Sequence, residues 1–279
     1  MDAEFRIYNH DFTIFKIYII KQEILYVKRR NFFMNTNKKT VIKIGLVSIL
    51  LLITYFIFMN TYHLFFLKST FAYEHTNFLK RIIPFICAVI VFLIGKDSLN
   101  KKDATFLKIA YLTILIAEIS FTLNKTILGI VFFGLCQIFL IMRHSAGISN
   151  SVKENKKFFL LLGIVIITIV FILIATIFYP ALGMGTLFYS IIIYGTILGI
   201  SLWIGISNYY IGHFPKKNAL FIMIGMIFFF IGDFLVGIEI ITEDIYIKNI
   251  LNLFLWIFYT PAVTLLALSG YNYSANSKI

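Results

Sequence analysis

The sequence predicts an all-α, polytopic membrane protein of eight transmembrane helices. Three observations carry that prediction: an apolar composition, long uncharged runs, and basic residues gathered on one side of those runs. Of 279 residues, 60% are apolar and 14% charged, with a mean hydropathy of +0.90. Soluble chains hold about 45–50% apolar and about 25% charged residues. The composition also excludes a disordered chain, a collagen and a disulfide scaffold. Cys87 and Cys136 both fall in apolar runs, where a thiol packs as a small hydrophobe.

The chain opens with a basic and aromatic arm over residues 1–40. Two readings of it stand side by side. Its segment 12–33 mixes aromatics with Lys16, Lys21, Lys28, Arg29 and Arg30, a pattern suited to the headgroup layer. Alternatively, the arm lies upstream of a start at Met34, whose following residues make an ordinary short basic lead into a first helix. The run 44–62 reads as an anchor, being too long for a secretory apolar region and lacking a small-residue cleavage site after it.

A membrane-domain expectation then covers 41–271, with a cytoplasmic tail at 272–279. A hydrocarbon core about 30 Å thick needs about 20 apolar helical residues. Uncharged runs at 44–62, 126–142, 158–178, 182–206 and 249–270 meet that length or approach it. The run at 104–123 is interrupted by Glu118 and the run at 218–238 by Asp233. The second span is the shortest, uncharged only over 82–95, and crosses if Lys80 and Arg81 snorkel to the outer interface. Twenty Lys and Arg residues then fall on one side and five on the other. That asymmetry places both termini in the cytoplasm. It also accounts for the +12 net charge without a nucleic-acid partner.

The polar residues inside the spans mark the candidate site. An ionisable side chain in a span costs at least about 2.5 kcal/mol on insertion scales, so it is a functional candidate by default. Glu118 and Asp233 are those two carboxylates, each expected roughly 7–8 Å below the outer interface. Each follows a small residue, in Ala117-Glu118 and Gly232-Asp233. Two parallel four-helix repeats would explain the likeness, as would chance similarity of short apolar segments. Gln137, Asn124, Tyr259 and Asn252 are candidate binding groups; buried amides and hydroxyls also serve as plain interhelical contacts. Gly195-xxx-Gly199 and Ser201-xxx-Gly205 read as close helix contacts. The five histidines are dispersed without metal-ligand spacing, and neither a nucleophile elbow nor a Walker loop occurs. No metal and no cofactor is expected.

At these same residues the chain resembles a known family. Ala117-Glu118, Leu128-Gly129, Phe132-Phe133-Gly134-Leu135, Gln137 and Ile141, then the run Gly225 to Asp233 and Tyr259, resemble the YhhN-like membrane proteins. That family includes the lysoplasmalogenases, also called alkenylglycerophospholipid hydrolases. The resemblance spans about 42–272 and implies an eight-helix fold. The family pattern has Gly-Asp in the third helix, His then Tyr in the fourth, and a small residue plus Asp in the seventh. Here only Gly232-Asp233 is kept; Glu118 replaces the first Asp, Gln137 the His and Ile141 the Tyr. The resemblance implies hydrolysis of a vinyl ether lysolipid in the membrane, with Asp233 and Glu118 sharing the acid and base roles. A proton-coupled carrier using the same carboxylates, or a lipid-binding protein without turnover, is the alternative. A one-sided pocket favours the enzyme, and polar groups running through to the other face favour the carrier. Oligomeric state and headgroup preference are not encoded legibly.

Overall fold

The computed structural model describes residues 37–67, 71–146, 148, 155–211 and 214–273. The basic arm up to residue 36, the alternative start at Met34 and the tail beyond residue 273 lie outside the described residues. Chain contacts define two units, residues 1–46 and 47–279. The second unit holds the site.

The described chain is helical, as its composition predicts. Seven helices are long and apolar enough to cross a membrane: α1 (Asn37–Phe66), α3 (Lys101–Thr122), α4 (Thr126–Ser145), α5 (Lys156–Leu182), α6 (Thr186–Ile211), α7 (Lys216–Ile241) and α8 (Ile245–Leu268). The remaining expected span is also a helix, α2 (Phe71–Ile94), 24 residues long. At about 1.5 Å per residue that is about 36 Å of helix.

Polar residues at the ends set the boundaries. The Asn100 side chain accepts a hydrogen bond from the Asp103 backbone N–H and caps α3. Asp244 caps α8 by accepting from the Tyr246 and Ile247 backbone N–H groups. Such caps satisfy donors that a helix cannot bond internally. Asn124 turns α3 into α4 with a φ of 56°. Asparagine is among the few side chains that tolerate this left-handed conformation.

Six helices close into a ring. Contacts run α2 to α3, α3 to α4, α4 to α6, α6 to α7, α7 to α8, and α8 back to α2. Helix α5 packs outside the ring against α6. The end of α1 meets α8 through Phe56, whose ring lies 6.3 Å from that of Trp256. The glycines of α6 make these approaches possible. A Cβ on Gly199 would sit 3.1 Å from Val170 and Ile167 of α5, and one on Gly205 2.6 Å from Met226 of α7. Both small-residue motifs are therefore helix contacts, as expected. At mid-bundle Ile114, Ile222, Met226, Phe229, Val263 and Leu266 are wholly buried.

Candidate functional site

Inside the ring, near the α3–α4 turn, lies a cavity of about 360 Å³. Glu118 of α3 and Asp233 of α7 both line it. The two carboxylates are thus brought together from positions 115 residues apart in the sequence. Their offsets along the helices differ, however. Glu118 is four residues short of the end of α3 and Asp233 eight residues short of the end of α7. These are about 6 Å and about 12 Å of helix.

The small residue before each acid is buried, Ala117 fully. At Gly232 an added Cβ would lie 3.7 Å from the backbone nitrogen of Tyr259, an ordinary van der Waals contact, so α7 and α8 would accept alanine there as well.

The second helix corrects an expectation. Lys80 and Arg81 do not snorkel outward; both line the cavity. Lys80 is 2% exposed, and its Nζ donates to Asn252 Oδ1 at 2.6 Å. The same ammonium lies 5.4 Å from the Trp256 ring centroid and 5.5 Å from that of Phe56. Arg81 Nη1 lies 2.9 Å from both the Glu118 carboxylate Oε2 and the Glu118 backbone oxygen. The physical reason is pairing. Inside an apolar bundle a cation and a carboxylate offset each other's desolvation, which an interface position would leave for water to do.

Glu239 and Lys248 also line the cavity, and Asn252 Nδ2 lies 3.4 Å from Glu239 Oε2. Glu118 and Asp233 are therefore not the only ionisable groups within the helices. The chamber holds three cations and three carboxylates: Lys80, Arg81, Lys248, Glu118, Asp233 and Glu239.

Asp233 has a different neighbourhood from Glu118. The Tyr194 hydroxyl of α6 donates to its Oδ2. No cation bonds it among the described residues. Tyr259 lies beside Glu118, and its buried hydroxyl has no partner in hydrogen-bonding geometry. With Phe133 and Trp256 it forms an aromatic wall, the rings 6.2 and 5.3 Å from that of Tyr259.

The other candidate residues divide. Asn252 and Tyr259 line the cavity, and Asn124 stands exposed at its rim. Gln137 does not form its wall. It sits one turn beyond Phe133, fully buried, with both amide atoms unpartnered. The sequence reading missed Tyr194, Lys80, Arg81, Lys248, Glu239 and Trp256.

A second, apolar slot of about 80 Å³ adjoins the chamber. It shares Phe121, Phe133, Asp233, Val236 and Ile240 with the chamber and runs on between α5, α6 and α7. Asp233 thus stands where polar chamber and apolar slot meet.

The opposite end of the bundle is sealed by a different cluster. Arg143, 1% exposed, donates from Nε to Asp103 Oδ1 at 2.7 Å and from Nη1 to Ser269 Oγ at 2.7 Å. Its Nη2 donates to the Ser269 carbonyl at 3.1 Å, where Asn218 Nδ2 also donates at 2.7 Å. Arg143, one residue past the uncharged run at 126–142, is thus an internal fastener joining α3, α4 and the end of α8. No group of His, Cys, Asp and Glu arranged to hold a metal occurs among the described residues.

Compared with known proteins, residues 76–270 match the model of the YhhN family. No curated protein and no solved structure matches the chain.

Proposed function

This chain belongs to the YhhN family, and from that premise we propose that it is a membrane hydrolase that cleaves the vinyl ether of lysoplasmalogen-type lysolipids. The observation that supports this reading best is the unlike setting of two carboxyls in one cavity. Glu118 is paired with a guanidinium, whereas Asp233 accepts from a tyrosine hydroxyl and from no cation among the described residues. Pairs of titratable groups in contrasting environments are how one site runs both acid and base chemistry.

In this reading Asp233, in its carboxylic acid form, delivers a proton to the alkenyl carbon remote from the ether oxygen. The C=C π pair takes that proton, leaving an oxocarbenium ion stabilised by the ionised Glu118. Water adds to the cationic carbon and gives its proton to the Asp233 carboxylate, forming a hemiacetal. Its C–O bond then breaks as the hemiacetal hydroxyl loses its proton and the departing glycerol oxygen gains one, releasing a fatty aldehyde and the free glycerol hydroxyl. Every atom comes from substrate and water, and the proton lent by Asp233 is returned.

The surroundings favour this over a carrier. Between the chamber and the Arg143 cluster, the ring is filled by Ile114, Ile222, Met226, Phe229, Val263 and Leu266. A one-sided pocket suits a lipid substrate entering from the bilayer, whereas a carrier needs a path through. The apolar slot beside Asp233 suits the first carbons of the alkenyl chain.

Orientation belongs to the same proposal. With Lys80, Arg81 and Lys248 turned to the chamber and Arg143 in an internal ion pair, the remaining Lys and Arg split nineteen against two. That excess favours termini in the cytoplasm and a chamber toward the outer leaflet.

The test is release of fatty aldehyde from a lysoplasmalogen by purified protein in detergent. Wild type is expected to release it, and Asp233→Asn to release none while eluting as the same folded species. Aldehyde release that persists in both Asp233→Asn and Glu118→Gln would remove the mechanism.

A further inference from the structure

The two arginines among the described residues, Arg81 and Arg143, are used in opposite ways. Arg143 has every guanidinium nitrogen engaged: Nε and Nη2 on Asp103, Nη1 and Nη2 on Ser269. It is a saturated structural group. Arg81 spends Nη1 on Glu118, while its buried Nε donates to nothing, and its side chain keeps 21% exposure toward the chamber. A guanidinium has five N–H donors in a planar fork suited to oxyanions. This one is under-used and faces empty space.

Two further cations share that space. Lys80 adjoins Arg81 in sequence and is fixed by Asn252 Oδ1 and the Trp256 face. Lys248 reaches the same chamber from the first turn of α8. The charge balance points the same way. Three basic residues face three acidic ones; with Asp233 carrying the proton that the reaction needs and the other five groups ionised, the chamber would hold one net positive charge. A phosphodiester carries one negative charge and would neutralise it.

We propose that Arg81, Lys80 and Lys248 form a phosphate subsite that holds the phosphodiester of the lysolipid headgroup and so sets the vinyl ether against Asp233. The proposal rests on the lysolipid reading above. Phosphate contacts at Arg81 are compatible with its Glu118 pair, because Nη1 alone is committed to Glu118 and Nη2 of the same fork is left for an oxyanion. Lys80 supplies the deepest charge and Lys248 the charge nearest the rim. The phosphate would then occupy the polar chamber while the chain enters the apolar slot, with Asp233 at the junction between them.

The test uses binding and not turnover, so its failure is distinguishable from failure of the hydrolase reading. The probe is a 1-O-alkyl lysophospholipid, whose saturated ether has no double bond to protonate. Its companion is the 1-O-alkyl glycerol of equal chain length, without phosphate. Binding to full-length protein in nanodiscs is read by calorimetry. The phosphate-bearing lipid is expected to bind at least about tenfold tighter, because its phosphate gains charge-assisted hydrogen bonds that the alkyl glycerol lacks. Lys248→Gln and Arg81→Gln should lower its affinity about tenfold and leave the alkyl glycerol unchanged, while Lys248→Arg restores it. Lys248 lies at the rim, so its variants test the subsite even where Arg81→Gln does not fold. Equal affinity for the two lipids would overturn the proposal, as would a loss in Lys248→Gln shared by both. Displacement of the lipid by equimolar inorganic phosphate would overturn the headgroup assignment, identifying a site for free phosphate.

Discussion

Arg81 of α2 holds Glu118 of α3 by a single nitrogen, Nη1, which meets both the carboxylate and the backbone oxygen of the same residue at 2.9 Å. The contact fixes the carboxylate's direction as well as its charge. It ties two ring helices beside the cavity and leaves the other carboxyl, Asp233, to a hydroxyl. The asymmetry between the two acids therefore originates on α2, a helix whose basic pair would conventionally be assigned to the interface.

Replacing Glu118 by Gln keeps the shape and removes the charge opposed to Arg81. General acid or base groups contribute typically 10²–10⁴-fold, so aldehyde release should fall at least about 100-fold. Glu118→Asp should recover part of it. A Glu118→Gln protein with wild-type turnover would exclude the carboxylate from the reaction.

Tyr194→Phe removes the hydroxyl that donates to Asp233 while preserving the ring that lines the apolar slot. The phenol orients the acid and touches no reacting atom in the proposed scheme, so it is a positioning residue. The expected outcome is a fall in kcat of about 10-fold with KM nearly unchanged. Steady-state kinetics and a pH profile check it. A purely structural role would lower the amount of folded protein and leave kcat per folded molecule and the profile alone.

Much of this was legible in the sequence, and what was not has a physical cause. Glu118 and Asp233 stand out because carboxylates are costly in apolar helices. Asn252 and Tyr259 were found on the same ground, and α6 glycines in i, i+4 spacing announced close contacts. Lys80 and Arg81 were missed because a charge near the end of a span can either snorkel or turn inward, and only a partner on another helix decides between them. Glu239 was missed by a single residue, the seventh span having been ended at 238 while α7 runs to Ile241. Gln137 does not line the chamber, because its place one turn along from Phe133 puts it behind the cavity wall. The role of Arg143 is not legible in the sequence because its partners, Asp103 and Ser269, are 40 and 126 residues away.

The Arg143 cluster predicts a stability effect at the end opposite the cavity. Asp103→Leu leaves the guanidinium buried without its counter-charge, and breaking a buried pair from one side costs about 3–5 kcal/mol. Arg143→Met removes the cation but leaves Asp103 buried and unpaired, with a similar expected cost. The double variant Asp103→Leu with Arg143→Met should recover much of the loss. Thermal unfolding in detergent measures all three. Additive losses in the double variant would show that the two residues act independently and that the ion pair is not what fastens this end.

The apolar slot predicts chain-length selectivity that turns on Gly237. A Cβ there would come within 2.7 Å of the Phe178 ring, which with Gly237 lines the slot next to Asp233. In Gly237→Ala the ring has to shift into the slot or away from it, and α5 behind Phe178 leaves the slot as the open side. The chamber, with its charged groups, is untouched. The variant should therefore lower kcat/KM for long alkenyl chains by several-fold to about 10-fold, the range that one or two methylenes command in an apolar pocket. It should alter shorter chains less. Assaying wild type and Gly237→Ala across a chain-length series measures this. A uniform loss at every length would instead mean that the slot does not receive the chain and that Gly237 serves only the packing of α7 against Phe178.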